Sequence, residues 1–269
     1  MRIPKPALEE GYTPITSRDD PDDVNTQMEF GILRLAPNEN YQIPFELEKA
    51  LLLMKGDAYF VWGCPGEELS EGHAERHSLF DEGPWCMHAP AGAQVAVTAG
   101  DEGAELAVML TENETTFPAT LFSPDDCRSE RRGEGTMRET STRIVRTIFD
   151  HDTRPDANLV LGEVVDFPGK WSSYPPHHHP QPEIYHYRFL PDNGFGFAML
   201  GDDVLKVRHE DTVLILNDRS HPQVSAPGYA MYYIWVIRNL DGNPYTSPTF
   251  EPEHAWVQDP DAPIWPPER

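Results

Sequence analysis

The chain has 269 residues, 39% of them hydrophobic, enough for one large all-β unit or two small fused domains. Lys and Arg number 21 against 45 Asp and Glu; the formal net charge of −24 argues against nucleic acid and anionic lipid as partners, which bind through clustered cations. Three dispersed cysteines, Cys64, Cys86 and Cys127, argue against a disulfide framework or a structural zinc site. The lack of any long apolar run gives a cytoplasmic protein with no membrane partner as the expectation.

Proline (27) and glycine (19) punctuate the chain, and between them lie short segments rich in β-branched and aromatic residues. They predict strands over 50–63, 93–100, 104–110, 158–167, 183–190, 211–218 and 231–239. Helical periodicity is nearly absent, so the fold class is all-β, a barrel or sandwich. Residues 1–123 form a first β-rich half. The polar stretch 124–142, PDDCRSERRGEGTMRETST from its start, reads as a linker or mobile loop. Residues 143–269 form the second half and end in a proline-rich tail, expected to pack as an extended arm.

The second half carries the densest group of metal-ligating side chains, in GKWSSYPPHHHPQPEIYHYRF (169–189). On a strand His177 and His179 point to one face and His178 to the other. Glu183 follows beyond Pro180 and Pro182, and His221 arrives after a later strand. Three neutral imidazoles and one carboxylate can hold a divalent first-row ion and leave coordination positions open. The remaining histidines lack such partners and read as surface or structural.

The spacing His-x-His, three residues, Glu matches the first motif of cupin barrels. The second cupin motif, Gly, five residues, Pro-x-Gly, two residues, His, keeps its spacing here. Its letters change: Glu210, Leu216 and Asp218 replace the turn residues, and His221 is retained. In the first half, Pro90-x-Gly92-x-x-Val95 repeats the second motif with valine at the histidine position, and its upstream strands lack His-x-His. The expectation is therefore a bicupin: two double-stranded β-helix barrels, with metal in the second only.

Beyond the cupin spacing, WSSYPPHHHPQPEIYHYRF, RTIFD (146–150), NLVLGEV (158–164), HPQVSAPGYAMYYIWV (221–236) and FEPEHAWV (250–257) resemble the 5-deoxy-glucuronate isomerase family of bacterial inositol catabolism. They are more distantly similar to 4-deoxy-5-keto-uronate isomerase. The resemblance is strongest over 143–257. It implies a bicupin fold, aldose–ketose isomerisation of a deoxy-uronic acid, and metal ligands at His177, His179, Glu183 and His221. The chain departs from the family in the short Pro180-Gln181-Pro182 link. It departs again at Ala198, Met199 and Gly201, where the family tends to carry a Gln-Arg pair and a tyrosine.

A metal chelated by substrate lowers the energy of the charge that develops during isomerisation, and a base moves the proton. Zinc is the first choice, with manganese or iron as alternatives. Tyr185 and Tyr187 share the face of Glu183 and are candidates for orienting hydroxyls or relaying a proton. Glu183 is a candidate base as well as a ligand. Arg146 and Arg219 are candidate partners for the substrate carboxylate. Other readings of the same ligands are an iron dioxygenase or another metal-dependent cupin enzyme, and a non-catalytic sugar-acid-binding cupin. Assembly into a homo-oligomer is left open.

Overall fold

The computed structural model describes residues 1–266; residues 267–269 of the tail lie outside the described residues. The first half builds an antiparallel sheet in the order Gly11–Thr16, Glu29–Leu35, Gln94–Thr111, Glu48–Gly63, Cys86–Ala89, Thr120–Phe122. Asn40–Ile43 is added on Gln94–Thr111, and Ser70–Arg76 on Glu48–Gly63. The segments expected at 93–100 and 104–110 are one continuous strand, which pairs with Glu48–Gly63 along its length. Both strands bend where Gly56 (φ +91°) meets Gly103 (φ +78°): a Cβ on Gly56 would lie 2.1 Å from the Gly103 carbonyl oxygen. Only glycine permits that approach.

The second half forms a seven-stranded sheet in the order Arg2–Ile3, Thr212–Ile215, Glu183–Leu190, Ala230–Arg238, Leu159–Asp166, Arg143–Phe149, Arg128–Arg132. A four-stranded sheet of Trp171–Ser172, Gln223–Ser225, Phe195–Leu200 and Asp203–Arg208 packs across it. Two segments lie differently from the sequence expectation. The stretch 124–142 contains the strand Arg128–Arg132, whose exposed charged residues suit a sheet edge and leave no apolar alternation to read. Arg2–Ile3, at the start of the first half, pairs with Val213 and Thr212 of the second barrel.

Strand alternation sorts the second sheet's side chains between two cores. On Leu159–Asp166, buried on both faces, Leu159, Leu161 and Val165 meet Phe30, Leu52 and Met109 of the first barrel. Val164, on the opposite face, packs inside the second barrel with Tyr185, Tyr187 and Tyr233. Each large apolar side chain in the inter-barrel layer contributes roughly 2 kcal/mol through burial, and this layer is common to both barrels beside the separate interior of each.

Two acidic residues within that layer are fully matched. Glu163, fully buried, accepts from Arg76 (2.6 and 3.0 Å), Arg146 (2.8 Å) and the Tyr232 hydroxyl (2.7 Å). Burial alone would push its carboxyl up; the two guanidiniums outweigh it and hold it below the ordinary range. Glu48 of the first barrel accepts from the backbone amides of Asn158 (2.8 Å) and Leu159 (3.0 Å), tying the barrels together through the main chain.

Candidate metal centre

The short strand His177–His178 is held against Thr249–Phe250, with His177 opposite Phe250. Glu183 opens the strand Glu183–Leu190, opposite Ile215 on one side and Ile237 on the other. His221 follows the turn after Thr212–Ile215. Ligand atoms of His179, Glu183 and His221 all lie within 4.8 Å of one another, and all three residues are buried. His177 stands beside this group, its ring 4.9 Å from that of His221, and lines the same cavity. His178 faces away, with Nδ1 2.6 Å from Asp218 Oδ1.

The imidazoles are oriented by the backbone. Nδ1 of His177 contacts the Pro175 carbonyl (3.0 Å), Nδ1 of His179 the Gln181 carbonyl (3.0 Å), and Nδ1 of His221 the Arg219 carbonyl (2.8 Å). A carbonyl only accepts, so each Nδ1 carries a proton, and a ring in the neutral form keeps its lone pair on Nε2. Burial pushes the pKa of His177 well down and that of His221 down, which keeps both rings neutral. Nε2 of His179 and Nε2 of His221 each lie 3.3 Å from Glu183 Oε2, and His221 Nε2 has no hydrogen-bond partner. Lone pairs facing a carboxylate repel unless a cation lies between them. The donor set therefore fits a divalent metal ion, with carbonyls behind the histidines as in known metal centres.

The altered second cupin motif keeps its backbone geometry. Glu210 (φ +67°), Asn217 (φ +61°) and Asp218 (φ +54°) adopt left-handed conformations, two of them where the motif has glycine. Such a conformation costs a non-glycine residue roughly 1–2 kcal/mol. At Glu210 ion pairs with Lys5, Arg34 (3.1 Å) and Arg188 (3.4 Å) offset it.

A cavity of about 310 Å³ opens over the centre, lined by His177, His179, Glu183, His221, Tyr185 and Tyr233 among others. Tyr185 donates to or accepts from the Ser173 hydroxyl (3.0 Å), and Ser173 also reaches Tyr233 (3.4 Å). Ser173 is itself left-handed (φ +50°), a strained conformation that turns its hydroxyl toward the two phenols. Burial pushes the phenol of Tyr185 well above its ordinary pKa, so it stays protonated.

The other expected site residues lie elsewhere. Tyr187 is fully buried, is not part of the cavity lining, and donates to Gln223 Oε1 (2.5 Å). Arg146 points into the inter-barrel layer, bonding Glu163 and the Leu79 carbonyl (2.9 Å). Arg219 bonds the Leu200 carbonyl and Asp203 (2.6 Å) and is not part of the cavity lining. Instead Arg143 lines the cavity, together with Arg128 and Arg132. Arg143, Val145 and Thr147 face the cavity, while Arg146 on the same strand faces the other barrel. Period-two counting from Val145 is the sequence signal that separates the two arginines. Ser173, Tyr233 and Tyr245, whose ring lies 4.8 Å from that of His179, also emerge only from the fold.

Comparison with known proteins places this geometry among relatives. A family model described as the KduI/IolB family matches residues 3–257. A 5-deoxy-glucuronate isomerase of Geobacillus thermodenitrificans (strain NG80-2) is 30% identical over 230 residues, covering 79% of this chain and 79% of that protein. An IolB-like protein of Salmonella typhimurium LT2 has a crystal structure similar to this one at TM-score 0.83 and 25% identity, covering 96% of this chain and 98% of that one. An oxalate decarboxylase of Bacillus subtilis with Mn(II) centres matches at TM-score 0.65 and 11% identity over 93% of this chain and 79% of that one, a likeness of fold alone. The architecture is the bicupin that the motif spacing predicts.

Proposed function

The chain belongs to the KduI/IolB family, and on that footing we propose that it is a metal-dependent aldose–ketose isomerase converting 5-deoxy-glucuronate to 5-dehydro-2-deoxy-gluconate. The supporting observation is the convergence of buried histidines, Nδ1 tied to backbone carbonyls, upon the Glu183 carboxylate under one cavity. His177, His179, Glu183 and His221 would hold the ion. Zinc is our assignment from the imidazole-rich set, with manganese and iron as alternatives. Among the described residues no helix is long and apolar enough to cross a membrane, and we assign the cytoplasm as the site of action.

Isomerisation moves a hydrogen from C2 to C1 and a proton from the C2 hydroxyl to O1. When bound by His177, His179, Glu183 and His221, a divalent ion would supply Lewis acidity for this step. Glu183 is the buried carboxylate of the cavity lining and is assigned the transfer between carbons. Tyr185, kept protonated by burial and hydrogen-bonded to Ser173, is assigned to the hydroxyl proton. Tyr233 extends that hydroxyl chain to Ser172 at 2.5 Å.

The test is to purify the wild-type protein, determine bound metal by elemental analysis, and follow 5-deoxy-glucuronate by NMR. Interconversion without oxygen uptake is the expected result. Oxygen consumption with no isomerised product would replace this reading by a dioxygenase, and no turnover of any kind by a binding protein.

A further inference from the structure

We propose that Arg143 binds the substrate carboxylate, setting a sugar acid in the cavity with its acid end at Arg143 and its reacting end at the metal centre. The choice of acid rests on the isomerase reading above; the anion-binding role does not.

Three arginines line the cavity, and their partners differ. Arg128 is ion-paired with Asp150 at 2.9 Å, and Arg132 is ion-paired with Glu130. Both are exposed. Arg143 is 4% exposed, and its hydrogen bonds go to neutral oxygens: the Ser141 carbonyl (2.7 Å), the Ser141 hydroxyl (2.8 Å) and the Tyr174 carbonyl (3.4 Å). A guanidinium has five N–H donors, so it retains donors for a ligand. Burying such a charge without an anion costs several kcal/mol. A carboxylate ligand would offset this cost through two parallel N–H···O bonds.

The nearest acidic residue on the adjoining strand does not fill that role. Asp166 stands opposite Arg143 in register, but the Arg143 guanidinium makes its hydrogen bonds to Ser141 and Tyr174 and none to Asp166. Burial pushes its carboxyl well above the ordinary range, against the opposing pull of the Arg143 charge. Glu183 lies 3.3 Å from His179 and from His221 and makes no ion pair with Arg143. The Ser141 and Tyr174 contacts hold the guanidinium before any ligand arrives, which lowers the ordering cost of binding. Such a group rejects neutral sugars because a ligand without the carboxylate leaves its donors unmatched.

The experiment uses the full-length, metal-loaded protein and measures binding of D-glucuronate and of its neutral counterpart D-glucose by calorimetry. Wild type is expected to prefer the acid at least tenfold (about 1.4 kcal/mol). Arg143→Met should erase the preference with bound metal unchanged, and should raise KM for 5-deoxy-glucuronate more than it lowers kcat. If the methionine variant does not fold, Arg143→Gln, neutral but able to keep a hydrogen bond to Ser141, carries the same test. A folded neutral variant that retains the wild-type preference would overturn the proposal, as would a wild-type protein indifferent to the acid. If wild type turns over no 5-deoxy-glucuronate yet loses its acid preference on substitution, the isomerase reading fails and the Arg143 assignment stands. If wild type turns the substrate over and the variants keep its KM and its preference, the Arg143 assignment fails and the isomerase reading stands.

Discussion

Lys49 of the first barrel stands at the register position that Glu183 occupies in the second. Lys49 pairs with Ala89 and Leu110, Glu183 with Ile215 and Ile237. Ala89 precedes Val95 by the same interval as Ile215 precedes His221, and Phe45 precedes Lys49 as His179 precedes Glu183. The Lys49 ammonium, fully buried, donates to the carbonyls of Phe45 (3.1 Å) and Ala93 (2.8 Å). One barrel thus has a carboxylate that calls for a cation, and the other carries its own cation at the same place. Metal analysis is expected to find one ion per chain, and Lys49→Met should leave that number unchanged; two ions in wild type would contradict this.

Lys49 also predicts a pH dependence of stability. Burial pulls its pKa down from 10.5 to about 8. Between those values the unfolded chain binds more protons than the folded one, so stability from this group rises as pH increases through the window. The gain approaches about 3 kcal/mol at its upper end. Denaturant curves at pH 7.5 and pH 10 should show Lys49→Met losing this rise relative to wild type. Parallel changes in the two proteins would remove Lys49 as the cause.

The centre is expected to fail in two distinguishable ways. His179→Ala and His221→Ala should lose most bound metal and isomerase activity together, the effect being at least 100-fold in activity. Glu183→Gln keeps the size of the side chain and should lower kcat more steeply than metal content. Full metal occupancy with wild-type activity in both histidine variants would sink the ligand assignment.

Tyr185 and Tyr187 lie on one strand face but should behave differently. Tyr185→Phe removes a hydroxyl from the cavity and is expected to lower kcat on the order of 100-fold with metal retained. Tyr187→Phe strands Gln223 Oε1 and should cost roughly 1–3 kcal/mol of stability with kcat close to wild type. Steady-state kinetics beside chemical denaturation separates the two; equal kcat losses would refute the distinction.

Between the barrels, Glu163→Gln leaves Arg76 and Arg146 without their carboxylate and should destabilise by roughly 3–5 kcal/mol. Because the folded pKa of Glu163 is depressed, its contribution is present above the ordinary glutamate range near 4.3 and is lost as pH falls through the folded value. Acid titration of unfolding should therefore be shallower in Glu163→Gln than in wild type. Identical acid profiles would assign the layer's stability to its apolar packing.

The candidate ligand set was legible in the sequence because a strand's period of two and the cupin spacing both act locally: His177 and His179 share a face, Glu183 follows at a fixed interval, and His221 sits at the end of a spaced turn. The all-β class was legible for the same reason. Period two puts Arg143 and Arg146 on opposite faces of one strand, but only the packing of the barrels decides which of those faces meets the cavity. Local pattern could not read Arg128–Arg132 as a strand, because that segment is held by ladder hydrogen bonds to Arg143–Phe149 and not by an apolar stripe. Nor could it see that Lys49 answers Glu183, or that Ser173 bridges two phenols, because both relations join segments distant in the chain. Residue chemistry and spacing determined which side chains this protein can offer to a metal ion. Strand register and the packing of one barrel against the other decided which of its charges line the cavity.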